Sequence, residues 1–299
     1  MRRLPSFVAF CSFLALAASA AACGNSSSAG PGGGGIPTIG DSAKTIGPTL
    51  GTLTRANGIN DSDVVVGVWV DLTPAQYGWI DRAGLTDYLT VPFANAFDTN
   101  PNAINDSGYV VGSYTLISGY HGFLNFGLNY STIDYPGASS TEPYGINAAG
   151  DIVGVYFVGT ATTGHAFLKH GATYTNIDPP GATAAAALSI NAAGDVVGTF
   201  TDGSGQHAYR WTHGAASPTT LTYSGLGDII PYGLNDAGTI VGSCSVSGAT
   251  DGFIATGGSV ELIVVPGASI TEAYSVNDSG TVVGAFTSTA QYGFVLKTQ

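Results

Sequence analysis

The sequence predicts an all-β fold, a six-bladed β-propeller of four-stranded antiparallel blades, with a β-solenoid as the alternative. Three observations lead there. A ten-residue core recurs six times at intervals of 42 to 45 residues. Each core is followed by a short signature whose third residue is aromatic. Outside the N-terminal segment no apolar period of 3.6 residues is visible. A fixed period of this size marks repeat architectures, and four β-type runs per period match one propeller blade.

The N-terminal segment comes first. Arg2 and Arg3 precede an apolar run from Phe7 to Ala22, and Cys23 follows. A short basic start, a short apolar run and small residues at its end describe a secretory signal over residues 1–22, too short for a stable membrane span. Ala20-Ala21-Ala22-Cys23-Gly24 resembles a bacterial lipobox, with Ala20 where that motif usually carries Leu. The resemblance implies cleavage before Cys23 and a lipid on its thiol; ordinary cleavage and secretion is the alternative. Residues 23–44 are rich in Gly and Ser and read as a flexible tether. With Cys11 lost and Cys23 capped, Cys244 is the remaining thiol, so no internal disulfide is expected.

Residues 45–299 form the repeat body. The cores run from GINDSDVVVG at Gly58 to SVNDSGTVVG at Ser275 and are centred on Asn60, Asn105, Asn147, Asn191, Asn235 and Asn277. Two residues before each Asn stands Gly, Ala or Ser. Three residues after it stands Gly in five copies and Asp63 in the first. Asn, two turn residues and then a residue tolerant of positive φ spell a type I turn with a G1 bulge. Seven residues after each Asn comes Gly67, Gly112, Gly154, Gly198, Gly242 or Gly284. A strand glycine marks a close approach, and the aromatic of the next signature is the expected cover. Thus Gly67 should lie under Trp79, Gly112 under Phe123 and Gly154 under Phe167.

The signatures include His121-Gly122-Phe123, His165-Ala166-Phe167 and His207-Ala208-Tyr209. With the Asn-x-x-Gly-x-Val-Val-Gly core, they resemble the bacterial extracellular HAF repeat family over residues 46–299. That resemblance implies an extracytoplasmic repeat protein and no particular ligand or reaction. The repeat also starts and stops out of phase. Ile46-Gly47-Pro48 matches a late element with no earlier partner, and Tyr292–Lys297 matches an earlier element with no later one. Pairing the segment 45–50 with 293–297 would close the sixth blade from both termini.

Composition limits the chemistry. Eight Lys and Arg against 20 Asp and Glu give a net charge of −12, which excludes a phosphate-neutralising surface and nucleic-acid partners. His121, His165 and His207 hold equivalent places, and Tyr77, Asp251 and Tyr292 fill those places elsewhere, which suits a structural role better than a metal set. Asp134 and Asp178 are the candidate site residues, a carboxylate pair in neighbouring units of the kind glycosidases use. The acids beside the turn asparagines read as turn residues, because Ala148 and Ala192 replace them in two copies. No catalytic residue, metal site or cofactor is assigned. The expected function is a monomeric, lipid-anchored envelope protein that binds or scaffolds a glycan, peptide or protein partner, touching the membrane through its lipid only. A polysaccharide-acting enzyme is the alternative.

Cys23→Ser is expected to move the chain out of the membrane fraction and to remove a diacylglyceryl mass from its N-terminus, read by fractionation and intact-mass spectrometry. A wild-type chain recovered as a secreted protein with an unmodified N-terminus at Ala21 or Cys23 would refute the lipid.

Overall fold

The computed structural model describes residues 38–48, 51–73 and 75–298. The expected signal segment, Cys23 and the expected tether up to residue 37 lie outside the described residues, as do Thr49 and Leu50.

The described residues form an all-β structure of antiparallel four-stranded units. Unit one comprises Leu53–Ile59, Val65–Val70, Gln76–Arg82 and Leu85–Leu89. Units two to five repeat the pattern, beginning at Phe97, Ser140, Ala184 and Gly227. Unit six takes three strands, Ile270–Val276, Thr281–Thr287 and Gln291–Lys297, from the end of the chain. Its fourth strand, Lys44–Ile46, comes from the beginning: Thr45 faces Phe294 and Ile46 faces Gly293 in antiparallel register. Antiparallel order within every unit replaces the solenoid alternative, whose coils would run parallel.

One expected boundary is corrected. The tether was expected to reach residue 44, but Thr38–Ile39 already forms a parallel strand beside Leu262 and Ile263 of unit five. The Ile39 carbonyl accepts the Val264 N–H at 2.8 Å. An apolar Ile next to the buried Ile263 and Val265 accounts for the earlier start.

Local sequence explains the unit. In each core the Asn N–H and carbonyl close the hairpin. Asn147 N–H, for example, donates to Asp151 O at 3.0 Å, and Gly150 N–H donates to Asn147 O at 3.1 Å. The residue three after the Asn has φ between 54° and 83° in all six units, Asp63 included. That left-handed region suits Gly, and Asp tolerates it better than most residues.

Every first strand also carries a bulge three residues before its Asn, seen as a register shift at Ala56/Gly58, Pro143/Gly145 and their equivalents. The bulge explains the invariant strand glycine. A Cβ on Gly154 would overlap the Glu142 carbonyl oxygen, and it would lie 2.8 Å from Pro143 Cα and 2.9 Å from the Phe167 ring. The ring expected over each glycine is there in register, as Gly67 with Trp79 and Gly112 with Phe123. Yet the bulge carbonyl is the tighter neighbour, which repeat spacing alone did not indicate.

The aromatic of each signature fills the core. Trp79, Phe123, Phe167, Tyr209, Phe253 and Phe294 are fully buried. Burying such a ring contributes about 1.5–3 kcal/mol. The small residue before each Asn serves contact between units. A Cβ on Gly58 would meet Ala103 Cα at 2.9 Å, one on Gly145 Ser189 Cα at 3.0 Å, and one on Gly233 Ser275 Cα at 2.9 Å. Neighbouring first strands therefore touch backbone to backbone.

Deleting residues 291–299 removes buried Phe294 and Leu296 and leaves Lys44–Ile46 without its partner. At several kcal/mol for each lost core side chain, the melting temperature is expected to fall by about 10 °C or more. Calorimetry and light scattering check this, and a truncated chain that melts like the whole one would contradict it.

Candidate functional site

The six turn asparagines are nearly fully buried and lie next to one another. Each side chain bonds in two directions. The Oδ1 of Asn105, Asn191 and Asn235 accepts the N–H four residues later, from Tyr109, Asp195 and Thr239 at 2.8–2.9 Å. The Nδ2 donates to the carbonyl of the next asparagine. Asn60 donates to Asn105, Asn105 to Asn147, and Asn147 to Asn191, at 3.0–3.2 Å. Asn191 donates to Asn235, Asn235 to Asn277, and Asn277 to Asn60, at 3.0–3.3 Å. The succession returns to its starting residue. Only a side-chain amide carries both an acceptor and a donor in this geometry; Asp lacks the donor and Ser lacks the reach.

The asparagines line a polar well that is open to solvent. Asp61, Asp106, Asp236 and Asp278 stand at its rim. Their carboxylates accept N–H groups from the preceding unit: Asp106 from Asp61, Asp236 from Ala192, Asp278 from Asp236 and Asp61 from Asp278, at 2.7–2.9 Å. Ala148 and Ala192 interrupt this outer series. Burial, and then the nearby carboxylates of Asp236, Asp61 and Asp106, push the Asp278 carboxyl above the usual range. Among the described residues, no group of three or more His, Cys, Asp or Glu side chains is placed to hold a metal ion.

The candidate acids Asp134 and Asp178 sit elsewhere. Each meets the histidine thirteen residues before it. His121 Nδ1 lies 2.9 Å from Asp134 Oδ1, and His165 Nδ1 lies 2.7 Å from Asp178 Oδ2. Asp178 also accepts the Ala166 N–H at 2.7 Å and an Asn176 amide at 3.0 Å. These bonds tie the third strand to the link that follows the fourth, which is structural work. The histidine rings pack on the aromatic facing them across the strands: Tyr114 with His121, Tyr156 with His165 and Phe200 with His207, at centroid distances of 5.0–5.6 Å. Unit five changes both members together, to Cys244 facing Asp251. Cys244 is buried, and burial first and the Asp251 charge second push its thiol up to about 12.

The far ends of the first strands hold residues that the sequence reading missed. Glu142 is buried, and burial raises its carboxyl to about 7 against a hydrogen bond from the Tyr144 hydroxyl. Glu272 and Tyr274 repeat this couple in unit six, with the hydroxyl 2.6 Å from the carboxylate. The signal was present as Thr-Glu-x-Tyr in two of the six copies, Thr141–Tyr144 and Thr271–Tyr274. It was hidden because the other four copies carry no Glu there, although Thr54, Thr99 and Tyr232 keep parts of the pattern.

No protein-family model matches the chain, and no curated protein matches it. Solved structures do. TolB from Acinetobacter baumannii aligns at a TM-score of 0.52 and 14% identity, over 78% of this chain and 63% of that one. This chain therefore spans less than two thirds of the TolB chain. A streptogramin B lyase aligns at 0.51 and 11% identity, over 86% and 97% of the two chains. Regucalcin from Agrobacterium tumefaciens aligns at 0.51 and 12% identity, over 87% and 95%. At such identities the likeness concerns the fold alone, which is of the β-propeller kind.

Asn191→Ala removes one donor and one acceptor from the buried cycle and strands the Asp195 N–H. Chemical denaturation should show a loss of about 2–3 kcal/mol. Asp236→Ala, the residue two units already carry at that place, should cost at most about 1 kcal/mol. Equal losses would mean that the inner and outer series share the load.

Proposed function

We propose that the six units close into a six-bladed β-propeller, exported and held at the bacterial envelope by a lipid on Cys23, that binds or scaffolds a glycan, peptide or envelope partner as a monomer. The return of the asparagine cycle to Asn60 and the strand lent by Lys44–Ile46 to unit six support the closure. The engagement of the candidate acids supports the absence of catalysis. Asp134 and Asp178 each hold a histidine of their own unit, and the rim acids hold backbone N–H groups. A glycosidase needs two carboxyls left facing each other across the substrate.

A second reading has its own observation. Glu142 keeps its proton near neutral pH because it is buried, which is the state a general acid requires. In that case the chain acts on polysaccharide.

One experiment separates the two. The full chain is incubated with soluble polysaccharides, envelope-derived glycan and a peptide library, and both retention and newly formed reducing ends are measured. Retention without product supports the binding module. Reducing ends that vanish in Glu142→Gln would establish the enzyme instead.

A further inference from the structure

The six units serve as internal controls for one another. The residue four after each turn asparagine faces a residue on the third strand. In unit three these are Asp151 and His170, joined through Oδ1 and Nδ1, and in unit five Thr239 and Thr256, with hydroxyls 3.1 Å apart. Unit two alone places two aromatic rings there, Tyr109 and Phe126. Their centroids are 4.5 Å apart with the planes tilted by 24°. They are 37% and 47% exposed. The fold accepts polar pairs at this position, so it does not require two rings here, which stack on each other and stay partly in water. Beside them Leu128, 96% exposed, occupies the turn place that Gly84 and Gly258 hold in units one and five. The turn is rigid as well: buried Asn125 donates to the Gly127 and Asn129 carbonyls at 2.9 and 3.3 Å. Exposed apolar groups gathered on a fixed frame mark a recognition surface.

The neighbouring chemistry selects the ligand. Tyr109 ends the turn that carries Asp106, and Asp106 lines the well. Asp106 spends Oδ1 on the Asp61 N–H, and a carboxylate has further acceptor capacity and no donor. Ring faces attract the weakly positive C–H face of a pyranose, and the carboxylate takes its hydroxyls. The net charge of −12 disfavours polyanions. We propose that Tyr109 and Phe126 form a stacking platform, with Asp106 as hydrogen-bond acceptor, for a neutral, hydroxyl-rich oligosaccharide. This rests on the reading of the chain as a binding module, and it names the site and ligand class.

The test is calorimetric titration of the full chain with cellohexaose, xylohexaose, mannohexaose and hexa-N-acetylchitohexaose, with phosphatidylcholine vesicles alongside. The variant is Tyr109→Asp with Phe126→His, which gives unit two the pair that unit three already carries. At least one sugar should bind the wild type, and the double variant should bind it about tenfold more weakly or worse. The variant should melt within about 2 °C of the wild type, since the pair exists in the same fold. Equal sugar binding by the variant would overturn the site and leave the binding-module reading standing. Binding of none of the four sugars would overturn the ligand class, and the peptide and envelope arms of the preceding experiment would then judge that reading separately. Vesicle binding lost in the variant, without sugar binding, would reassign the platform to a bilayer. A large fall in melting temperature would show that the rings are structural and overturn the proposal.

Discussion

The constraint on which the rest depends is the cycle of six asparagine side chains. Each one closes its own hairpin through Oδ1 and reaches the next unit through Nδ2. A buried amide left without either bond costs about 1–3 kcal/mol, so each unit is held to its neighbour at a fixed height and angle. Two features follow. The residue two before each Asn is small, because first strands locked this closely meet at their Cα atoms. The strand glycine opposite each bulge leaves space for the carbonyl two residues before that bulge, as Gly154 does for Glu142.

Repetition separates what the fold demands from what it permits. The asparagine of the cycle, the strand glycine opposite the bulge and the aromatic of the core hold the same residue type in nearly every copy. Others change in pairs. Where an aromatic faces His121, His165 or His207, the fifth copy substitutes Cys244 and Asp251 together. That coordinated change marks a cross-strand contact and removes the histidines from consideration as ligands. Glu142 with Tyr144, and Tyr109 with Phe126, differ in kind. They occur in one or two copies and no packing rule requires them; Glu142 and Tyr144 lie on a first strand, whereas Tyr109 ends the turn after one and Phe126 ends a third strand.

Cys244 is a free thiol among the described residues, and the fold rests instead on how the ends are used. An unpaired outer strand in unit six would present open N–H and C=O groups to other chains. Lys44–Ile46 covers that edge, and Thr38–Ile39 covers the outer strand of unit five. The entropy lost in joining residues far apart in sequence grows only logarithmically with loop length. A single strand that also packs near buried Phe294 can therefore offset it.

The number of units, their antiparallel strands and the Asn-to-Gly turns are legible in the residues alone, because these depend on local backbone preference and on a period of 42 to 45 residues. So is the place of the N-terminal strand opposite Gly293–Lys297, since the phase of the repeat leaves that strand without another partner. Tertiary structure decided the rest. The bonding of Asn60 to Asn105 depends on two turns lying 45 residues apart yet side by side, which spacing does not encode. The early start at Thr38 depends on an open edge in unit five. The role of Asp134 and Asp178 depends on which way their side chains turn, and each turns to a histidine of its own unit. Six asparagines in sequence are six turn residues; only when the strands are packed do the free amide N–H groups find the next carbonyl.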